Sequence, residues 1–426
     1  MKTRSLTPTP LTRREILLAL AASGCAPEAR ETPAADGFPC GVSSADVTTT
    51  NALVWTVYSG ADPLFVEWWP ASDENARQRR AVEVIDGAAQ LDLTNLTAGE
   101  RYVFRFTDDT RTSDTGRFRA AIADDALEPL TFAVSSCARQ TTALLPLAAV
   151  GNGFTLDAFL CLGDAVYADG AITRSDYDAK WRGALARAPN RAMRRATSTI
   201  ATWDDHEVEN DASPDHTTPE RFSIARDSFF AHQPARIDAP NRIWRSRRWG
   251  RTAEIFVLDC RGERNSAAGQ YISPEQLQWL KQGIANSPAT FKLVLNSVPI
   301  GNYPSALFQA LAKDRWDGYP EQRRELLEFV DQHRSGVLWL TGDFHIGVAG
   351  RVALDGVGAE QVELACGPAG SNLPNPALTY PSGPQFDYAS ADNNVVVLDL
   401  DPSNRSVRAR FVGGDGRVLF EHTYAL

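Results

Sequence analysis

The length, composition and charge of this 426-residue chain indicate a globular protein of two or three domains. Apolar residues make up 43% of the sequence and charged residues 23%, which is ordinary for a chain that buries a sizeable core. The formal net charge of −10 argues against a nucleic-acid partner. The six cysteines are widely scattered and form no CxxC pair, so neither a zinc ribbon nor a disulfide scaffold is indicated.

Residues 1–25 are typical of an export signal. Basic residues precede a short apolar run over residues 16–22, far below the ~20 residues that a membrane span needs. Residues 12–17 resemble the twin-arginine export motif, and the small residues before Cys25 resemble a lipoprotein cleavage box. We therefore expect twin-arginine export to the periplasm or cell surface, with a lipid anchor on Cys25 and a tether over residues 26–36. The alternative is a disordered basic tail with an accidental cysteine.

Short alternating strands separated by turns fill residues 37–122 and predict a small β-sandwich. A turn followed by a strand that starts near Tyr102 resembles the corner of fibronectin type III-like sandwiches, where a tyrosine packs across the turn. The tryptophans here, Trp55, Trp68 and Trp69, are expected in the core, with a carbohydrate- or partner-binding face as the alternative.

Residues 128–426 alternate between strand-like and helical segments, which predicts an α/β domain. Four of its strands end in side chains that can bind a metal. They are Cys137, Asp164 with Tyr167, Asp205 with His206, and Asp343 with His345. Because the carboxyl ends of parallel strands share one edge of a sheet, these groups are expected to meet. Each turn alone has a simpler interpretation, as a buried cysteine, a solvated turn or a helix cap, but the four together predict a site for a hard, Lewis-acidic metal.

These turns resemble those of the PhoD-type alkaline phosphatases, within the calcineurin-like metallophosphoesterases. The matching segments occur in the family's order and are residues 136–137, 163–167, 203–208, 258–261, 316–320 and 342–345, with residues 41–43 and 54–56 near the amino terminus. The resemblance implies a metallophosphoesterase-type layered β-sheet domain with helices, preceded by the small fibronectin III-like β-sandwich.

The resemblance also implies a role for each metal-competent residue. Cys137 and Tyr167 would bind Fe³⁺, and Asp164 would bridge the iron to Ca²⁺. Asp205 would bind the calcium. The cluster would be completed by Asp343 and His345.

The remaining site residues implied by the resemblance face the substrate. His206 would face the phosphate and act as a catalytic acid. Arg261 and Arg264 match the family's Asp-x-Arg segment and are candidate phosphate-binding residues, although Cys260 replaces the usual threonine.

The expected function is that of an exported, metal-dependent phosphoesterase, acting on monoesters, diesters or both with hydroxide that a metal makes available. It would bind a small phosphoester as its substrate. It would contact a membrane only through the lipid anchor, and it would be a monomer. No long lid helix is expected after the carboxy-terminal hairpin. The alternative is a surface lipoprotein that binds a partner and carries an inactive phosphatase-like domain.

Overall fold

A computed structural model of the protein describes residues 33–139, 141–303, 314–333, 336–372, 381 and 383–426. The predicted export signal, the lipidation site Cys25 and residues 26–32 of the tether lie outside the described residues. Within the described part, none of the helices combines the length and the apolar character that crossing a membrane requires.

Twenty-one strands are described along the chain. In chain order they are β1 (Val42–Ala45), β2 (Ala52–Val57), β3 (Leu64–Pro70), β4 (Gln78–Val82), β5 (Val84–Ile85), β6 (Ala88–Leu93), β7 (Arg101–Thr107), β8 (Gly116–Arg119), β9 (Leu130–Ser135), β10 (Ala158–Cys161), β11 (Ser198–Ala201), β12 (Arg245–Trp249), β13 (Ala253–Val257), β14 (Phe291–Leu295), β15 (Val337–Thr341), β16 (Gly347–Arg351), β17 (Val362–Ala365), β18 (Phe386–Ser390), β19 (Asn394–Asp401), β20 (Ser406–Gly413) and β21 (Val418–Ala425).

The described residues also contain six α-helices and three short 3₁₀ turns. The helices are α1 (Leu145–Gly153), α2 (Arg174–Leu185), α3 (Ala188–Ala196), α4 (Pro219–His232), α5 (Pro274–Asn286) and α6 (Pro320–Gln332), and the 3₁₀ turns are Glu74–Ala76, Ser266–Ala268 and Trp316–Gly318. Local chemistry explains where helices begin. For example, the Thr173 hydroxyl before α2 accepts a hydrogen bond from the Asp176 amide, and the Asp176 carboxylate accepts one from the Thr173 amide.

The strands form three sheets. The largest has ten strands in the order β21-β20-β19-β9-β10-β11-β1-β2-β6-β5. The second has seven, in the order β12-β13-β14-β15-β17-β16-β18, and the third has four, in the order β4-β3-β7-β8. Strands β9, β10 and β11 are parallel neighbours in the first sheet, and β13, β14 and β15 are parallel neighbours in the second.

The main core lies between the sheets, and helices cover the outer faces. Alternate residues of β13 show this layering, because Ile255 and Val257 belong to the core shared by the sheets, whereas Phe256 packs with the side chains of α5 and α6. The outer face of the ten-stranded sheet is covered in the same way by α1 to α4. The predicted layered α/β fold is therefore confirmed.

The amino-terminal part is β-rich, as predicted, and the Tyr102 hydroxyl accepts a hydrogen bond from the Thr97 amide across the predicted corner (2.9 Å). All three tryptophans of this part are buried. The sequence did not predict that this part shares a sheet with the large domain. Strand β1 pairs in parallel with β11, with Ser44 opposite Ser198, so four amino-terminal strands extend the ten-stranded sheet.

A buried ion pair joins the end of β1 to the seven-stranded sheet. The Asp46 carboxylate follows β1 and accepts hydrogen bonds from the Arg245 side chain of β12, at 2.7 and 3.1 Å. Both side chains are almost completely buried, at 0% and 1% exposed. The Arg236 amide donates to the same carboxylate at 2.8 Å. This ion pair connects the amino-terminal strands to both large sheets. Separating the two residues would leave a buried charge without a partner, which is strongly destabilising.

Candidate active site

The predicted metal-binding turns converge at the carboxyl ends of four strands. Cys137 follows β9, Asp164 follows β10 and Asp205 follows β11, on adjacent parallel strands of the ten-stranded sheet. The turn with Asp343 and His345 follows β15 of the seven-stranded sheet. The expectation of a single sheet edge is corrected, because the site lies where the edges of two facing sheets meet.

The candidate ligand atoms fall into three overlapping groups in which all atoms lie within 4.8 Å of one another. The groups, found among the described residues, are Cys137, Asp164 and His345; Asp164, Asp205 and His206; and Asp204, Asp205 and Asp343. Asp164 belongs to the first two groups and Asp205 to the last two. A carboxylate shared in this way lies where a bridge between two cations would be expected.

Tyr167 joins the first group. Its hydroxyl donates to Asp164 Oδ2 at 3.3 Å and lies 3.2 Å from His345 Nε2. The other nitrogen of His345, Nδ1, donates to the Asn372 carbonyl at 3.2 Å, which favours the tautomer with a free lone pair on Nε2. Burial lowers the pKa of His345 to about 4, which keeps the ring neutral and suitable as a ligand.

The backbone of these turns is held in a conformation that side chains rarely adopt. Four of the six predicted metal ligands have positive φ angles, which are 54° at Cys137, 54° at Asp164, 64° at Asp343 and 54° at His345. Non-glycine residues in this region carry strain of roughly 1–3 kcal/mol each, and such strain is concentrated at functional sites. The turns therefore aim their side chains at one point at a cost in stability.

Two further residues hold the β10 and β11 turns together. Gly163 has φ of 99°, and a Cβ there would lie 2.5 Å from the Asp204 amide nitrogen, so only glycine permits this approach. The Glu207 carboxylate accepts hydrogen bonds from the amides of Asp164 (2.9 Å), Ala165 (2.7 Å) and Asp204 (2.8 Å). Glu207 therefore positions the backbone on both sides of the cluster, a role that its place in the sequence did not predict.

The electrostatics of the cluster fit a bound cation. Burial raises the pKa of Asp164 well above its usual range, and the negative charge of Asp205 raises it further. Burial also raises the pKa of Asp343 well above its usual range, with a further contribution from the charge of Asp204. Burial and Asp164 also raise the pKa of the Cys137 thiol. Asp164 Oδ1 and Asp205 Oδ1 are buried and have no hydrogen-bond partner among the described residues. A cation would neutralise these groups and satisfy the two unpaired oxygens.

His206 lies at the edge of the cluster with a carboxylate behind it. Its Nδ1 is 2.9 Å from Asp169 Oδ1, and its ring packs on Tyr167 with centroids 4.0 Å apart. Burial alone would lower the pKa of His206, but Asp164, Asp169 and Asp205 together raise it to about 10. The sequence did not single out Asp169, because an aspartate in a loop carries no signal of the histidine that it will contact.

The two arginines predicted to bind phosphate lie behind the carboxylates. Arg261 is fully buried, with Nε 2.5 Å from Asp204 Oδ1 and Nη1 2.6 Å from Asp314 Oδ1, and it lies 3.8 Å from Asp343. Arg264 is also buried and binds Asp314 at 2.6 Å. This arrangement favours a role in positioning the carboxylates over direct contact with phosphate, and it differs from the expected one because burial could not be deduced from the motif.

A different arginine lies beside Tyr167 of the cluster. The Arg139 guanidinium lies over the Tyr167 ring, 5.4 Å from its centroid. No carboxylate within the described ranges forms an ion pair with it, in contrast to Arg261 and Arg264. Arg139 follows Cys137 by two residues, and this spacing alone did not identify it as part of the site.

The chain is similar to known phosphatases in both of its parts. The PhoD-like phosphatase family matches residues 132–409, and the PhoD-like phosphatase N-terminal domain matches residues 24–122. Alkaline phosphatase D of Bacillus subtilis (strain 168) is 26% identical over 387 residues, with 75% of this chain and 66% of the relative covered. The chain thus spans slightly less than two thirds of that relative's length.

Solved structures share the fold. A structure of PhoD superposes with a TM-score of 0.76 and 21% identity, over 94% of this chain and 90% of the other. A purple acid phosphatase from seeds of yellow lupin (Lupinus luteus) superposes with a TM-score of 0.68 and 13% identity, over 90% of this chain and 73% of the other. At these identities the likeness concerns the fold.

The layered sheets share the fold of these phosphatase structures, and ligand-type residues lie where the sheet edges meet. The match across most of the large domain is more specific. The chain belongs to the PhoD-like phosphatase family, which confirms the family resemblance found in the sequence.

Replacing Glu207 with glutamine tests whether this residue positions the cluster. The glutamine side chain would place its own N–H group against backbone N–H groups whose hydrogen bonds the carboxylate now accepts. The two turns should therefore separate. We expect metal affinity to fall ~10–100-fold, as for other residues that orient metal ligands. Elemental analysis after dialysis against graded metal concentrations measures this change.

Glu220→Gln is the matched control, because Glu220 is exposed in the first turn of α4. Equal metal content in the two variants would show that Glu207 does not position the site.

Proposed function

We propose that this protein hydrolyses phosphate esters at the cluster centred on Asp164. The observation that carries the proposal is the convergence of all seven predicted metal and catalytic residues from four separate turns. Membership in the PhoD-like phosphatase family supports the same reaction. The substrate class is a small phosphoester, because no nucleic-acid-binding surface is expected on a chain with a net charge of −10.

The donor set fits two unlike metals. Cys137, Tyr167, Asp164 and His345 would hold Fe³⁺, and Asp164, Asp205 and Asp343 would hold Ca²⁺, since calcium prefers carboxylate oxygens. The metals would supply Lewis acidity and lower the pKa of bound water toward neutrality.

The remaining residues would act on the substrate. His206 has a raised pKa and would donate a proton to the leaving oxygen, while Asp169 holds its ring in place. Arg139 is positioned beside Tyr167 and offers a positive charge to an anionic substrate. Arg261 would keep Asp204 and Asp343 in place without contacting the ester.

A diester is the second candidate substrate. The same cluster would serve either ester, and Arg261 and Arg264, the candidate phosphate-binding residues, form ion pairs with carboxylates instead. Comparing turnover of para-nitrophenyl phosphate with that of bis(para-nitrophenyl) phosphate distinguishes the two.

Two substitutions separate metal binding from proton transfer. Asp164→Asn should abolish both bound metal and turnover, because it weakens the ligand shared by two groups. His206→Asn should retain the metals and lower kcat by ~10²–10⁴, the usual contribution of a positioned acid. The measurements are elemental analysis and steady-state kinetics on both nitrophenyl esters.

The control is Asp62→Asn, at a carboxylate whose side chain is 62% exposed. Full activity in Asp164→Asn would disprove the site. A metal-free, inactive wild-type protein would instead support the alternative, a binding lipoprotein with an inactive domain.

The identity of the metals can be tested by colour. A phenolate bound to ferric iron absorbs visible light, so the pure protein should contain iron and calcium and show a charge-transfer band. Tyr167→Phe should lose that band because the phenolate oxygen is absent. Absorption spectra and elemental analysis of the same samples test this; a colourless, iron-free wild type would contradict the iron assignment. Tyr424→Phe, at a buried tyrosine that bonds Asp387, should keep the colour.

We also propose that the protein is exported by the twin-arginine route, acts in the periplasm or at the cell surface as a monomer, and is held there by a lipid on Cys25. The support is the basic, apolar and small-residue pattern of residues 1–25.

Cys25→Ser should move the protein from the membrane fraction to the soluble fraction, as immunoblots of fractionated cells would show. Retention in the membrane would contradict the lipid anchor, and Cys40→Ser is the control, because Cys40 is a buried residue of the folded part.

A further inference from the structure

A second cavity lies away from the metal cluster. It has a volume of about 290 Å³, is open to solvent, and is lined by strands β2, β5 and β6 on one side and by helices α2 and α4 on the other. Its lining includes none of the residues assigned to the phosphoesterase site. This volume approaches the lower end of the range of small-molecule sites.

A buried histidine with an unused nitrogen lines the cavity. His232 is 1% exposed and packs between Trp55 and Trp181, with ring centroids 6.2 and 6.1 Å away. Its Nδ1 donates to the Ser228 carbonyl at 2.9 Å, whereas Nε2 has no hydrogen-bond partner among the described residues. Burial lowers the pKa of His232 to about 4, so the ring is neutral and Nε2 can only accept a hydrogen bond.

The cavity also holds charges of both signs that lack ionic partners. Arg182 lines it and donates to the Asp86 carbonyl, but forms no ion pair with any residue in the described ranges, and its buried Nε has no hydrogen-bond partner there. Glu83 and Asp86 are exposed beside it and likewise form no ion pair within the described part. By contrast, Asp178 is already paired with a neighbouring guanidinium of α2.

Apolar surface completes the lining. The Trp55 side chain forms part of the wall, with its indole N–H donating to the Ala231 carbonyl at 2.8 Å. Ile85 is 62% exposed at the cavity, which is unusual for a large apolar side chain. A ligand that suits this lining has a hydrogen-bond donor for His232 Nε2, an anionic group for Arg182 and an apolar part for Trp55 and Ile85.

We propose that the cavity binds a small zwitterion, an α-amino acid with an apolar side chain. Its carboxylate pairs with Arg182, its ammonium group donates to His232 Nε2 and faces Glu83, and its side chain packs on Trp55 and Ile85. Arg182, His232 and Glu83 then each gain a charge-assisted partner. The proposal does not rest on the phosphoesterase function, because the two sites share no residue.

Calorimetric titration of the full chain with L-leucine and two matched analogues tests the proposal. The analogues are 3-methylbutylamine, which lacks the carboxylate, and 4-methylpentanoate, which lacks the ammonium group. Leucine should bind, and each analogue should bind at least tenfold more weakly, because each leaves one charged group of the cavity unpaired. Absence of binding by leucine, or equal binding of the three compounds, would overturn the proposal.

Two variants locate the binding site. Arg182→Met removes the guanidinium, and Ala88→Leu fills part of the cavity from β6 without removing a polar contact. Each should weaken leucine binding at least tenfold, with thermal unfolding confirming that the variant is folded. Arg195→Met is the control, at a similarly half-buried arginine of α3 outside the lining, and should bind leucine normally. Normal binding in a folded Ala88→Leu protein would show that leucine binds elsewhere.

Discussion

Crowding of buried negative charge is the constraint on which the candidate site depends. Asp164, Asp204, Asp205 and Asp343 meet where two sheet edges face each other, and each is at most partly accessible to water. One buried guanidinium, that of Arg261, compensates part of this charge from behind. Burial, and then the remaining negative charge, raises the pKa of Asp164 and Asp343, and two carboxylate oxygens, Oδ1 of Asp164 and Oδ1 of Asp205, have no hydrogen-bond partner among the described residues. A bound cation would offset this charge, and folding of these turns would then be coupled to metal binding.

The backbone of the turns keeps these carboxylates close together despite their mutual repulsion. Positive φ angles at four ligand residues are strained, and Gly163 is required because any Cβ would collide with the neighbouring turn. Glu207 compensates by accepting three amide hydrogen bonds from both turns, although burial raises its pKa to about 7. Glycine at 163 and the three hydrogen bonds of Glu207 thus hold the two turns in the geometry that brings the candidate ligand residues together.

How much of the fold and of the site could be predicted from the sequence depends on how far apart along the chain the interacting residues lie. The α/β layering and the position of Asp164 and Asp343 at strand ends were predictable, because polar residues directly after apolar strands mark a sheet edge locally. Contacts between distant segments were not. The Asp169–His206 contact spans 37 positions and the Arg261–Asp204 contact 57, and neither is implied by spacing. The same limit explains why Arg261 was expected at the phosphate, since a motif does not show which side of a cluster its arginine occupies.

The amino-terminal strands are part of the scaffold of the site and not a separate attachment. Strand β1 is the direct parallel neighbour of β11, whose carboxyl end leads to Asp205 and His206. The Asp46 carboxylate, at the end of β1, is held by Arg245 of the facing sheet, and the Arg245 guanidinium also donates to the Ala201 carbonyl at the last residue of β11. One buried arginine therefore connects the amino-terminal part, the opposite sheet and the strand that leads into the turn with Asp205 and His206. Because a displaced β11 would move both Asp205 and His206, the geometry of the cluster depends on strands that contribute no ligand to it.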